Sequence, residues 1–204
     1  MEHYFATSPS VPSRPGEVVL RLSDVELVLA TDTGVFSGSR VDPGTLALLR
    51  ESGPPPHQGD LLDLGCGYGP IACALATRAP ASTVWAVDVN ERARGLTAAN
   101  AARLGLGNVR VASPEEVPAG VRFAGLWSNP PVRVGKAALH QLLSTWLALL
   151  EPGAAAWLVV NKHLGGDSLA AWLRCQGWEV VRAASKSGYR ILLARRDATT
   201  GADR

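Results

Sequence analysis

The chain has 204 residues, of which 47% are apolar and 19% are charged, and its formal net charge is +2. This length is well above the size at which a core needs disulfides or metals, and the composition is typical of one compact globular protein. We expect no membrane span, because no apolar run approaches the roughly 18 residues that cross a bilayer, and no secretory signal, because residues 1–14 lack the charged-then-apolar pattern.

The cysteines and the charges give two further indications. Cys66, Cys73 and Cys175 form no C-x-x-C pair and are typical of reduced thiols, so we expect a cytoplasmic protein. Residues 1–120 contain 9 Lys and Arg against 13 Asp and Glu, whereas residues 121–204 contain 11 against 5. This asymmetry favours a surface that receives phosphates, and the alternative is a chance fluctuation.

The first part of the chain predicts short extended elements. Residues 1–16 are polar and rich in proline, which indicates an extended arm, and the runs 17–22 and 25–30 predict a β-hairpin. After a loop at 31–38, Asp42 is expected to cap a helix over 45–50. We therefore divide the chain into residues 1–58 (arm, β-hairpin and short helix packed on the core), 59–196 (the core) and 197–204 (a disordered tail).

From Gly59 onward, apolar runs alternate with helical stretches. The predicted strands are residues 61–64, 83–87, 109–111, 123–128 and 155–160, and the predicted helices are 70–78, 90–104, 136–150 and 168–176. This alternation predicts a parallel sheet covered on both faces. Runs at 178–183 and 189–194 flank a loop at 184–188 without a helix, so an antiparallel hairpin should end the sheet. The fold class is therefore α/β, Rossmann-like, with seven mostly parallel strands.

The segment DLGCGYG at residues 63–69 predicts a cofactor site. Glycines at 65, 67 and 69 let the backbone pass close to a ligand, and the N-terminus of the following helix attracts a carboxylate or phosphate. The spacing is G-x-G-x-G rather than the G-x-G-x-x-G of dinucleotide sites, and Asp63 is well placed to meet an amino group. These features favour S-adenosylmethionine over NAD.

Polar residues after the next two predicted strands extend this site. Asp88 ends its strand, where a carboxylate can accept both hydroxyls of a ribose. A solvated aspartate or a cap of the next helix is the alternative. Ser113 should border the adenine ring, although a simple turn explains Ser113-Pro114 equally well.

Asn129-Pro130-Pro131, at the end of a predicted strand, indicates the chemistry. Exocyclic amines and carboxamides are weak nucleophiles, because their lone pair is delocalised. The Asn129 side-chain oxygen and the Pro130 carbonyl can accept the two amine hydrogens, which directs the lone pair out of the plane towards a methyl group. Two prolines make this turn rigid, so the acceptors are preorganised. An ordinary strand-ending turn is the alternative.

The residues around this motif predict the substrate contacts. Many such motifs continue with an aromatic residue that stacks on the target base, but Val132 stands here. Stacking must then come from Phe36, or from Tyr4 and Phe5 in the arm, or be replaced by apolar contact. Arg133 and Lys136 should contact phosphates, with solvated surface charge as the alternative.

Together these motifs resemble the methyltransferase-small family, which includes ribosomal RNA guanine-N2 methyltransferases of the small subunit. The resemblance covers residues 3–195 and rests on the segments 32–37, 62–69, 87–90, 128–136 and 186–190. It implies S-adenosylmethionine as the cofactor and the N2 amine of a guanine in small-subunit (16S) ribosomal RNA as the acceptor. The longer ribosomal enzymes carry a second, degenerate copy of the domain, which this chain is too short to contain.

The expected site residues form three groups. The catalytic residues are Asn129, Pro130 and Pro131. The cofactor-binding residues are Asp63, Gly65, Cys66, Gly67, Tyr68, Gly69, Asp88, Val89, Ser113 and Asn129. The substrate-binding residues are Phe36, Arg133 and Lys136. No metal is expected, because neither His57 nor His140 has a partner at the spacing of metal ligands.

Two alternative functions remain open. The acceptor could instead be an adenine N6 or a protein glutamine, since both reactions use Asn-Pro-Pro sites. The chain could also be a non-catalytic module that binds cofactor and RNA during ribosome assembly. The expected partners are ribosomal RNA or the small subunit, with no membrane, and the chain should be a monomer or a homodimer.

Overall fold

The computed structural model describes residues 11–196, which form two β-sheets and five α-helices. The strands are β1 (Gly16–Arg21), β2 (Glu26–Thr31), β3 (Asp60–Leu64), β4 (Thr83–Val87), β5 (Val109–Ala112), β6 (Phe123–Ser128), β7 (Leu150–Asn161), β8 (Glu179–Lys186) and β9 (Tyr189–Arg195). The helices are α1 (Pro43–Glu51), α2 (Pro70–Arg78), α3 (Glu91–Arg103), α4 (Lys136–Leu147) and α5 (Gly166–Cys175). Tyr4, Phe5 and the predicted tail lie outside the described residues.

The large sheet has seven strands in the order β5-β4-β3-β6-β7-β9-β8. Strands β3 to β7 are parallel to one another, whereas β9 is antiparallel to both β7 and β8. This arrangement confirms the predicted fold class. The central strand β3 is buried from Leu61 to Leu64, as expected for a parallel strand that helices cover on both sides.

Alternate residues of the strands face two separate cores. Leu61 and Trp127 pack with α1, α2 and the amino-terminal hairpin, whereas Leu62 and Leu126 pack with α4 and α5. This division follows from the two-residue period of a strand, which sends neighbouring side chains to opposite faces. Both faces of the sheet are therefore covered by packed apolar side chains, and the ends of the strands remain accessible to a ligand.

The hairpin β1–β2 is a separate two-stranded sheet that packs on α3. Asn100 of α3 is fully buried and joins three backbone groups. Its Oδ1 accepts a hydrogen bond from the Ala30 amide (2.7 Å), while its Nδ2 donates to the carbonyls of Ala30 (2.9 Å) and Tyr68 (2.8 Å). One side chain thus connects the hairpin to the loop that follows β3.

Predicted boundaries are wrong by three residues or more in three places, one of which is the start of β7 at Leu150 instead of residue 155. Helix α4 ends at Leu147 and not at residue 150, because Leu150 begins β7 and pairs with Phe123. The loop predicted at 184–188 is only Ser187-Gly188, since β8 continues to Lys186. Both loop residues have positive φ (49° and 84°), as tight two-residue hairpin turns require.

No helix within residues 11–196 is long and apolar enough to cross a membrane.

The contacts of Asn100 predict a large loss of stability in Asn100→Ala. This change leaves the Ala30 amide and two carbonyls without their partner, and we expect the free energy of unfolding to fall by about 3 kcal/mol. Chemical denaturation measures this, and hydrogen exchange of the Ala30 amide should increase at the same time.

The control is Ala99→Ser, at an exposed neighbouring position of α3, which should change the unfolding free energy by less than about 0.5 kcal/mol. Equal stabilities of Asn100→Ala and Ala99→Ser would contradict the role given to Asn100.

Candidate active site

The site lies where three parallel strands end side by side. Leu64 of β3 pairs with Val87 of β4 on one side and with Ser128 of β6 on the other. The buried Ser128 hydroxyl also donates to the Leu64 carbonyl (2.7 Å). The turns after β3, β4 and β6 therefore start at the same level of one sheet edge, and parallel neighbours lie only about 4.8 Å apart.

The glycine loop after β3 is held against β4. The Gly65 amide donates to the Val87 carbonyl (2.8 Å), and the Gly67 amide donates to Asp88 Oδ2 (2.9 Å). Both glycines have positive φ (79° and 59°), which side chains rarely adopt. A Cβ at either position would meet no atom of the described chain within 4 Å, so the space beside the loop is open to a ligand.

The third glycine has a different role from the predicted one. A Cβ at Gly69 would lie 3.0 Å from the Thr97 side chain of α3. Gly69 also has a φ of 90° and stands at the N-cap position of α2. It is therefore required for packing between the loop and α3, whereas Gly65 and Gly67 border the open space.

Asp63 is fully buried and uses its two oxygens differently. Oδ2 accepts a hydrogen bond from the Ala72 amide in the first turn of α2 (2.8 Å), a turn that Gly69 has no side chain to cap. Oδ1 has no partner within the described chain. Burial raises the pKa of Asp63 to about 8. Oδ1 is therefore left for one further hydrogen bond.

Asp88 is partly buried at the end of β4. It accepts hydrogen bonds from the amides of Gly67 and Asn90 (2.9 Å each), and burial raises its pKa although these amides and Arg94 act in the opposite direction. The side chain of Asn90, and not that of Asp88, accepts from the first turn of α3. The cap alternative for Asp88 is therefore wrong.

The two carboxyl groups indicate which ligand suits the site. Asp63 and Asp88 are close enough for Asp88 to contribute to the raised pKa of Asp63. A second anion, such as a pyrophosphate, would add to this repulsion, whereas a cationic ligand with hydroxyl and amino donors would relieve it. S-adenosylmethionine carries such groups, and the residues present fit it.

The remaining predicted cofactor residues differ in how exposed their side chains are. Cys66 and Tyr68 are buried with their side chains in the core, and the Tyr68 hydroxyl has no hydrogen-bond partner within the described chain. Val89 is 38% exposed next to Asp88. Ser113 forms a 3-10 turn in which its amide donates to the Glu116 carboxylate (2.7 Å), as the turn alternative implies.

Asn129 follows β6 and is fixed by residues from helix α1. Its Nδ2 donates to Asp42 Oδ2 (2.9 Å) and to Thr45 Oγ1 (3.1 Å). Its Oδ1 accepts no hydrogen bond from residues 11–196. The sequence predicts Asp42 as a helix cap, and its hydrogen bond to the Thr45 amide confirms this, but contact with a residue 87 positions away carries no local signal.

The two prolines form a tight turn. The Pro130 carbonyl accepts from the Val132 amide (2.8 Å), and Pro131 has φ −74° and ψ 74°, which is the geometry of an inverse γ-turn. This contact is absent from the prediction, in which the carbonyl is free. Since a carbonyl oxygen has two lone pairs, Pro130 retains one for a substrate.

Phe36 lies on the segment 34–42, which contacts the turn after β4 at one end and the turn after β6 at the other. At one end, the Gly34 carbonyl accepts from Asn90 Nδ2 (3.1 Å) beside β4, and at the other Asp42 binds Asn129 beside β6. Phe36 lies between these two contacts in the chain, and 46% of its surface is exposed. Phe36 is therefore an exposed aromatic residue on the segment that joins these two contacts.

Basic residues line the other side of the turn. Arg133 and Lys136 follow β6, Lys162 follows β7, and Lys186 ends β8; all four are exposed, and we call them the basic rim. The Lys162 amide donates to the Gly188 carbonyl (2.9 Å), which brings the β8–β9 turn to the same edge. Among residues 11–196 no cluster of His, Cys, Asp or Glu could hold a metal ion.

Comparison with known proteins gives a consistent result. Residues 26–193 match the family described as methyltransferase small domain. Uncharacterized protein YbxB of Bacillus subtilis is 34% identical over 198 residues, which cover 96% of this chain and 98% of that protein. Ribosomal RNA small subunit methyltransferase C of Pseudomonas aeruginosa is 36% identical over 181 residues, which cover 87% of this chain and 53% of that enzyme. This chain therefore spans about half the length of the ribosomal relative.

Solved structures show the same fold. The 16S rRNA N2 methyltransferase RsmC of T. thermophilus, in complex with AdoMet and guanosine, superposes with a TM-score of 0.73 at 24% identity. The match covers 92% of this chain and 52% of that one. TrmN from Thermus thermophilus is 28% identical with a TM-score of 0.57, covering 74% of this chain and 48% of that one.

The raised pKa of Asp63 predicts a pH-dependent effect of Asp63→Asn. Below the ordinary pKa of 3.8 the carboxyl is protonated in both folded and unfolded chains. As the pH rises to about 8, only the unfolded chain loses this proton, so the wild type loses stability that the amide variant keeps. The stability of Asp63→Asn relative to wild type should therefore rise by more than about 2 kcal/mol between pH 4.5 and pH 8.

Chemical denaturation at several pH values measures this difference. Asp24→Asn is the control, because the hydrogen bond from Arg78 lowers the pKa of Asp24, and its carboxyl is ionised throughout this range. That variant should differ from wild type by the same amount at pH 5 and pH 8. A pH-independent difference between Asp63→Asn and wild type would contradict the assignment.

Proposed function

This chain belongs to the methyltransferase small domain family and uses S-adenosylmethionine, and we propose that it methylates the exocyclic N2 amine of a guanine in small-subunit ribosomal RNA. The observation that carries the proposal is the turn after β6. There Asn129 Oδ1 and one lone pair of the Pro130 carbonyl are left as acceptors beside the glycine loop. Two rigid acceptors suit an amine with two hydrogens.

The proposed role of the turn is orientation. Bound S-adenosylmethionine supplies an electrophilic methyl group on a sulfonium. Asn129 Oδ1 and the Pro130 carbonyl accept the two N–H groups of the guanine amine, which turns its lone pair out of the ring plane. The nitrogen lone pair forms the new bond to the methyl carbon as the bond from that carbon to the sulfur breaks; the sulfur keeps the electron pair, and S-adenosylhomocysteine is the leaving group. The methylated nitrogen is acidic and loses one proton to water. Neither acceptor has to take up a proton.

The distribution of charge at the sheet edge supports a nucleic acid as the substrate. Exposed acidic residues (Glu91, Glu115 and Glu116) lie on the side of β4 and β5, where we place the nucleoside of the cofactor. The basic rim lies on the side of β6 to β9, beyond the Asn-Pro-Pro turn. A polyanion would therefore be attracted to the acceptor side of the site.

The choice of guanine over the other acceptors rests on the relatives. Several proteins that are 30–36% identical to this chain are named ribosomal RNA small subunit methyltransferase C, and the superposed T. thermophilus enzyme is described with guanosine. Phe36 supplies the stacking surface in this proposal, since Val132 follows the motif. Adenine N6 and a protein glutamine are the alternative acceptors, and identification of the methylated product distinguishes them from guanine N2.

The first test identifies the product. Tritiated methyl transfer from S-adenosylmethionine is measured on ribosomal RNA, on 30S particles and on total protein from a strain that lacks the gene, with mass spectrometry of the nucleosides. We expect label in N2-methylguanosine. Label in N6-methyladenosine or in protein would overturn the substrate, and cofactor binding without any transfer would favour the non-catalytic module.

Asn129→Ala tests the turn itself. Loss of a preorganised acceptor should lower kcat by on the order of 10²-fold, measured at saturating S-adenosylmethionine so that a change in cofactor affinity does not contribute. Gln141→Ala, an exposed amide on α4, is the control and should behave like wild type. Unchanged turnover in Asn129→Ala would remove the catalytic assignment.

Charge reversal tests the basic rim. Lys162→Glu and Lys186→Glu should each raise KM for RNA by about 3- to 10-fold without affecting cofactor affinity. The slope of log KM against log salt concentration should fall by about one, as expected for the loss of one phosphate contact. The control Arg110→Glu changes an exposed arginine on β5, away from the rim. If the lysine variants and the control give the same KM and the same salt slope, the rim does not bind RNA.

A further inference from the structure

Resting on the proposed function, we propose that Asp42 is a positioning residue that holds the Asn129 amide in one orientation and strengthens its oxygen as an acceptor. Asp42 does not reach the open side of the site, since it is buried beneath the turn. It acts on the substrate only through Asn129. The Asn-Pro-Pro motif is therefore incomplete without a carboxylate from helix α1.

The contacts of Asp42 form a compact network. Its Oδ2 accepts from Asn129 Nδ2 and from the Thr45 amide, both at 2.9 Å, and its Oδ1 accepts from the Tyr189 hydroxyl at 3.4 Å. Thr45 Oγ1 takes the second hydrogen of the Asn129 amide at 3.1 Å. Helix α1 and strand β9 thus both contribute to holding one side chain of the β6 turn.

These contacts permit only one orientation of the Asn129 amide. The terminal torsion of an asparagine has two broad minima that exchange the oxygen and the nitrogen. In the flipped orientation Asn129 Oδ1 would face the Asp42 carboxylate, where two acceptors repel each other; the Thr45 hydroxyl can donate or accept, so it is Asp42 that discriminates between the two orientations. Asp42 therefore directs the Asn129 oxygen away from α1 and towards the open side of the turn.

The charge of Asp42 has a second effect. A hydrogen bond to a carboxylate is stronger than one to a neutral acceptor, and hydrogen-bonded groups polarise one another in a buried site. An amide that donates to an anion carries more negative charge on its own oxygen. Asn129 Oδ1 should consequently bind the amine hydrogens more strongly as positive charge develops on the nitrogen.

The residues that pack around Asp42 leave just enough room for its hydrogen bonds. A Cβ at Gly44 would lie 2.6 Å from Tyr189 Cε1 and 2.8 Å from Asp42 Oδ2, so only glycine lets the ring approach the carboxylate. Thr45 is also buried. Burial, with Asp42 as a further cause, raises the pKa of Tyr189, which keeps its hydroxyl protonated as a donor.

Asp42 also caps helix α1, and the test must separate this role from positioning. Serine is as good an N-cap as aspartate. Asp42→Ser therefore keeps a cap on α1, but its shorter neutral side chain cannot bind Asn129 in the same way. Asp42→Asn keeps the shape of the side chain and removes only the charge.

Kinetics of methyl transfer to RNA give the first readout. We expect Asp42→Ser to lower kcat at least 30-fold, with the Kd for S-adenosylmethionine within about 3-fold and the melting temperature close to that of wild type. Asp42→Asn should lose about 5- to 10-fold, and Thr45→Ser should lose less than Thr45→Val. Glu51→Ser, at the other end of α1, is the matched control. A capped, folded Asp42→Ser with wild-type kcat would overturn the inference.

A second readout does not depend on turnover. The side-chain amide of Asn129 is observed by ¹⁵N–¹H correlation and assigned by its absence in Asn129→Ala. Its hydrogens should exchange slowly in wild type and at least 10-fold faster in Asp42→Ser, and equal exchange rates would overturn the inference. If the wild type methylates no RNA, the proposed function fails, but this measurement still decides whether Asp42 holds Asn129.

Discussion

The parallel alignment of β4 and β6 on either side of β3 determines where every residue of the site lies. Leu64 is paired on both sides, so the turns after the three strands begin at one level. A shift of either neighbour by one residue would exchange its core side chains between the two faces, which the dry cores on both sides do not permit. Hydrophobic packing therefore fixes a register on which the polar contacts of Asp63, Asp88 and Asn129 depend.

The buried carboxyl groups of the site carry a desolvation penalty that a bound ligand can reduce. Asp63 has one oxygen without a partner, and both Asp63 and Asp88 have raised pKa values because they are removed from water. Burial of incompletely paired carboxyls destabilises the free protein. A cationic cofactor with several donors removes part of that penalty when it binds, so the same arrangement that weakens the empty fold selects the ligand.

Most of the fold could be predicted from the sequence, because strand and helix periods, the glycine motif and the cap of α1 are local signals. The contacts that shape the site could not. Asp42 and Asn129 are 87 positions apart, and no spacing rule relates them. The γ-turn at Pro131 and the packing of Gly69 on Thr97 depend on neighbours that only the folded chain supplies. The end of α4 could not be predicted either, because Leu150 belongs to β7 through its pairing with Phe123, a residue distant in the sequence.

The buried Asn100 has a consequence for how small a working version of this domain can be made. Its amide serves Ala30 in the hairpin and Tyr68 in the glycine loop at once. A shortened chain that begins at β3 would thus lose a support of its cofactor loop as well as a surface hairpin. The matched family region begins at residue 26, within this support. We therefore expect the hairpin to be needed for the stability of the cofactor loop.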